Sequence, residues 1–169
     1  ILMTTQLTSP ASVGRSSVLA DHLGADSLVK DALMVLAGAS LVGVLAQVSV
    51  PMWPVPITGQ TLGVLLVGAI LGARRGALSL LSYMLLGLAG MPWFSAASGG
   101  LAALAKPSFG YILGFIPAAW LIGKLSERAW DRHFWLSLAA FGGATLIPFI
   151  VGIPYMWAVL RIGGVSMSL

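Results

Sequence analysis

Three stretches of this chain hold no charged residue at all: positions 32–73, 76–105 and 134–160. Each is longer than the ~20 residues that carry a helix once across a bilayer. Of the 169 residues 58% are hydrophobic and only 8% charged, where a soluble domain carries roughly 25% charged residues. Mean hydropathy is +0.97. These values define an integral membrane protein whose fold class is all-α, a compact bundle of short transmembrane helices. Lipids are then its principal surroundings. The excess of basic residues, +4 overall, does not signal nucleic acid. The Lys and Arg side chains sit between the apolar runs, where positive-inside topology places them. There are no cysteines, so disulfides and thiolate metal sites are excluded.

The chain divides into a cytoplasmic tail, residues 1–30, and a single transmembrane domain, residues 31–169. The tail has no continuous apolar h-region, so no cleavable signal peptide is read in it. Val18, Leu19, Leu23, Leu28 and Val29 allow a turn or two on the membrane surface; a mobile tail is the preferred reading. Five spans follow, at about 31–48, 58–71, 76–90, 109–125 and 134–160. Asp31 opens the first, where an acid suits the helix dipole. Ala39 and Gly43 form a small-xxx-small pair that lets another helix come close. Pro148 and Pro154 are expected to kink the last span or to end it early. The second span, about 14 residues, rises only ~21 Å of a ~30 Å hydrocarbon core. Something else must fill the remaining depth.

Two irregular segments are available. Pro51, Pro54 and Pro56 force an extended path between the first two spans. Residues 91–111 are interrupted by Pro92, by Ser98-Gly99-Gly100 and by Lys106-Pro107. Irregular backbone survives at membrane depth only where protein or a water-filled cavity covers it. Residues 91–111 are therefore the first candidate for a binding site. Seven of the nine Lys and Arg residues fall in the N-terminal tail, the second loop and the fourth loop. That places the N-terminus in the cytoplasm. The two irregular segments then share the outer face with residues 161–169. An odd number of spans raises the question of a further helix.

All five carboxylates (Asp21, Asp26, Asp31, Glu127 and Asp131) and both histidines lie in or beside cytoplasmic segments. No acid–base pair, nucleophile–base pair or metal cluster is available within the membrane, so an enzyme is not expected. The absence of an intramembrane acid argues against proton-driven transport. Gly123-Lys124 lacks the earlier glycine of a phosphate loop, so energy for transport would come from a partner. A binding site on the outer face remains. Its apolar walls are expected from Trp53, Met91, Trp93, Phe94, Phe109 and Tyr111. Its polar groups are expected from Thr58, Gln60, Thr61, Ser95 and Ser98, with backbone amides at Gly99 and Gly100. Lys106 supplies the counter-charge for an anionic ligand. Each has a plainer reading: an interfacial aromatic belt for the rings, turn capping for the serines, and a snorkelling interface lysine.

Several of these stretches resemble one family. Residues 54–66, PVPITGQTLGVLL, followed by GAILGARRG at 68–76, are similar to the signature of BioY proteins. These are the biotin-specific S components of energy-coupling-factor (ECF) transporters. Residues 90–101, GMPWFSAASGGL, resemble that family's GxPxFxxxxGGL loop, and residues 107–115, PSFGYILGF, its next helix start. The likeness runs from about Ala37 to Leu169. It implies a six-helix fold with both termini cytoplasmic, a location in a bacterial-type plasma membrane, and biotin held beneath the outer loops as transported ligand, with no cofactor. Its partners would be a transmembrane coupling subunit and a pair of cytoplasmic ATPases. Ala39 and Gly43 fall where S components carry an AxxxA motif facing the coupling subunit. The sixth helix, which carries an Asp and a Lys as ligand groups in relatives, is expected beyond Leu169. Two other readings stay open: an S component for another vitamin or precursor, and a non-transport membrane scaffold.

Overall fold

The computed structural model describes residues 28–128 and 134–163. Residues 1–27, on which the mobile-tail reading falls, residues 129–133 of the charged loop and residues 164–169 lie outside the described residues. Four helices dominate: α1 (Leu28–Gln47), α2 (Gln60–Leu88), α3 (Phe109–Ser126) and α4 (Phe134–Ile162). The prolines between α1 and α2 leave room only for a two-residue antiparallel ladder, β1 (Ser49–Val50) with β2 (Ile57–Thr58). Two short 3-10 segments, Ser95–Ala97 and Leu101–Ala105, lie between α2 and α3.

All four helices are long and apolar enough to cross a membrane. Five spans were expected, and the difference lies in α2. The expected second and third spans form one helical element of 29 residues, broken at Gly72 (φ 82°, ψ 177°). The break is a reversal. Gln60 and Tyr83, 23 positions apart, share a hydrogen bond of 2.6 Å, whereas a straight helix would separate them by about 35 Å. Only glycine reaches such a φ and ψ without strain. The two arms, 60–71 and 73–88, then lie so close that a Cβ at Gly76 would stand 3.0 Å from the Gly68 Cα. Gly68 in turn faces α3, where an added Cβ would meet the Ala119 carbonyl oxygen at 2.7 Å. Small residues thus replace side-chain packing with backbone contact, as membrane interiors favour.

The arms of α2 pack against α1 on one side and α3 on the other, and α4 packs mainly on α3. Tyr83, Leu80, Val42 and Val64 are fully buried at the centre. The reversal is tied down from both neighbours. Arg75 Nε donates to Asp31 Oδ1 of α1 at 2.9 Å, and the Ala73 N–H donates to Glu127 Oε1 at 2.9 Å. The latter satisfies one of the free amides that open a helical arm. Pro148 and Pro154 do not end the last helix, which continues to Ile162.

The small pair of α1 packs within this chain. Ala39 and Gly43 are both buried. A Cβ at Gly43 would lie 3.0 Å from Cε3 of the Trp93 ring. The space at Gly43 is therefore filled by the segment that follows α2, residues 89–108, here called the cap.

Candidate functional site

At the end of the bundle opposite the Gly72 reversal, the irregular segments enclose a cavity of about 610 Å³. Small-molecule sites usually measure ~300–1,000 Å³. The Pro-rich segment forms one wall through Met52, Pro54 and Pro56, and the start of α2 supplies Gln60 and Thr61. The cap supplies Phe94, Ser95, Ser98 and Lys106. The first turns of α3 add Phe109, Tyr111 and Phe115, and α4 closes the space with Pro148 and Phe149. The segments that cannot be helix are the ones that build the cavity. Prolines and glycines keep the backbone irregular here, and residues of α2, α3 and α4 complete the lining.

The polar end of the cavity is a relay. Thr58 Oγ1 donates to Gln60 Oε1 at 2.8 Å. Gln60 Nε2 donates to Tyr83 Oη at 2.6 Å, and Tyr83 Oη donates to the Trp93 carbonyl at 3.3 Å. Linked hydrogen bonds in a low-dielectric interior strengthen one another. A carboxamide has two N–H groups and an oxygen with two lone pairs. Tyr83 takes one N–H and Thr58 one lone pair, so Gln60 retains one donor and one acceptor for a ligand. Gln60 is 6% exposed, which holds those two groups in one orientation.

The lining also carries one positive charge. Lys106 is its one charged residue among the described residues, and its backbone caps the second 3-10 segment, donating to Ala103 O at 3.0 Å. The apolar walls are fixed by ring contacts. Tyr111 meets Phe149 edge-on with ring centroids 5.6 Å apart. Tyr155 Oη donates to the Leu104 carbonyl at 2.6 Å, pinning the cap to α4.

Nine of the fourteen expected site residues line the cavity: Thr58, Gln60, Thr61, Phe94, Ser95, Ser98, Lys106, Phe109 and Tyr111. Five do not. Met91 is 43% exposed. Trp53 is 73% exposed and fits an interfacial belt position. Trp93 turns under the cap, its Nε1 donating to Tyr83 O at 3.0 Å. Gly99 and Gly100 serve the backbone. A Cβ at Gly99 would collide with the Met91 carbonyl oxygen, and the Gly100 N–H donates to Gly87 O at 2.7 Å. Ser98 also has the turn role anticipated for it, donating to Ser95 O at 2.8 Å. Of the residues that sequence reasoning missed, Phe149 and Pro148 stand in a helix read only as a distant span. Tyr83 lay hidden mid-helix as an ordinary core residue. Gln47 carried one visible signal, an amide at the end of an otherwise apolar helix.

A mostly apolar cavity with a few polar groups and one cation in its lining, in a bundle of helices able to cross a membrane, has the composition of a small-molecule site in a membrane protein. The BioY family model matches residues 11–169, and the chain belongs to that family. It is 39% identical over 128 residues to a biotin transporter BioY of Rhizobium etli, an alignment covering 72% of this chain and 68% of that protein. It is 42% identical over 113 residues to a biotin transporter BioY of Rhodobacter capsulatus, covering 64% of this chain but 58% of that protein. Among solved structures it resembles the S component for biotin from an ECF-type ABC transporter, with a TM-score of 0.62 and 22% identity over 84% of this chain and 79% of that one. At that identity the likeness speaks for the fold, that of an ECF S component.

Proposed function

We propose that this protein is the biotin-binding subunit of an ATP-driven ECF transporter and is not an enzyme. It captures biotin at the outer face of the cell membrane, with its N-terminus in the cytoplasm. It passes the vitamin inward together with a transmembrane coupling subunit and cytoplasmic ATPases. The observation that carries this reading is the distribution of chemistry in the cavity. Biotin has a ureido group with donors and an acceptor, an apolar ring and chain, and one carboxylate. Gln60 offers one donor and one acceptor at the buried end. Phe94, Tyr111 and Phe149 offer apolar surface, and Lys106 offers the counter-charge. Ser95 and Ser98 stand on the same wall as Phe94. The names of the relatives support the same ligand.

The test is a thermal-shift panel of vitamins on the purified protein, because a ligand that binds only the folded state raises its melting point. Biotin is expected to raise it, and the other vitamins are not. A shift with a different vitamin alone would assign the cavity to that compound. No shift with any of them would leave the scaffold reading.

A further inference from the structure

Gln47, the last residue of α1, does not line the cavity, and the capture described above gives it no part. Its carboxamide nevertheless holds the cap at three places. Nε2 donates to the Trp93 carbonyl at 3.1 Å and to the Phe94 carbonyl at 3.2 Å. Oε1 accepts from the Ala97 N–H at 3.0 Å. The segment between is a closed loop, in which Phe94 N–H donates to Ser98 O at 2.9 Å and Ser98 N–H returns to Phe94 O at 3.3 Å. At its tip Ala96 (φ 58°) and Ala97 (φ 50°) are both left-handed. Two successive alanines resist that conformation, because their Cβ atoms crowd the backbone. Something must hold them there. Gln47 grips the loop at its base and at its tip together. The loop held this way places Phe94, Ser95, Ala96 and Ser98 on the cavity wall.

We propose that Gln47 is a positioning residue for ligand capture. It keeps the 94–98 loop in its left-handed form, and so fixes the cap over the cavity and slows release of the ligand. The ligand rests on the biotin reading above; the geometry does not.

The decisive variant is Gln47→Met, which keeps length and removes hydrogen bonding. Two readouts are taken on the whole purified protein. In the absence of ligand, backbone hydrogen exchange across residues 94–98 is expected to speed up about tenfold while exchange around Tyr83 stays as in the parent. Labelled biotin is expected to dissociate about fivefold faster or more. Adding Ala96→Gly and Ala97→Gly to Gln47→Met is expected to recover roughly half of the lost retention, because glycine adopts the left-handed form without strain. A merely structural role for Gln47 predicts faster exchange throughout and no recovery from the glycines. Either of those results overturns the proposal, and so does parent-like exchange in Gln47→Met. If the parent itself retains no biotin, the function above fails, and the exchange pattern alone decides whether Gln47 holds the cap.

Discussion

Gln60 and Tyr83 belong to one helical element, stand 23 positions apart and share a hydrogen bond of 2.6 Å. That contact exists because Gly72 folds the element back on itself. It joins the reversal at one end of the bundle to the polar end of the cavity at the other. Tyr83 Oη also reaches the Trp93 carbonyl, so one hydroxyl connects α2, the cap and the group offered to ligand.

Tyr83→Phe removes this hydroxyl and leaves the buried Gln60 amide without its acceptor. An unsatisfied buried polar group costs about 1–3 kcal/mol. The thermal midpoint of the variant in detergent is expected to fall accordingly, and biotin binding to weaken as Gln60 loses its orientation. A parent-like midpoint and affinity would show that the contact does not organise the site.

The reversal itself is tested by Gly72→Ala. At φ 82° and ψ 177° a side chain is strained by about 1–3 kcal/mol. The loss is expected in the midpoint of unfolding, with ligand affinity recovering at temperatures well below it. Undiminished stability would mean that the two arms turn elsewhere.

Lys106→Met isolates the charge. Biotin binding is expected to weaken about tenfold, or ~1.4 kcal/mol, while binding of biotin amide, which has no carboxylate, is unchanged. Equal losses for both compounds would assign Lys106 to the shape of the cap and not to the ligand's charge.

Two aromatic residues should differ sharply. Phe149→Ala opens the α4 wall of the cavity and is expected to reduce biotin affinity by about tenfold or more through lost apolar contact. Trp53→Ala removes an outward-facing ring, 73% exposed, and is expected to change it by less than about twofold. Equilibrium titration of both variants makes the comparison. The reverse order would place the Pro-rich loop over the ligand.

Much of this arrangement was legible because lipid imposes strict rules. Uncharged runs marked the helices, and prolines and glycines marked where the backbone had to be irregular. The cavity lies where those irregular segments meet. Gln60 is a neutral amide just inside an uncharged helix start, and Tyr83 is its partner. The count of spans differs at Gly72, because the loop expected over residues 72–75 contracts to a break at one glycine and leaves a single helical element. Ala39 and Gly43 were recognisable as a close-packing pair. Their spacing could not say which group would approach; at Gly43 it is Trp93 of the same chain. Phe149 was invisible for a related reason: side-chain periodicity locates a helix but not the neighbour it leans on.

The central claim is that this cavity holds biotin. Direct binding of labelled biotin to the purified protein tests it most simply, with an excess of unlabelled biotin as competitor. The account predicts saturable, displaceable binding at one site per chain with a Kd well below about 1 μM. Binding at micromolar strength or weaker, or label that unlabelled biotin fails to displace, would contradict it.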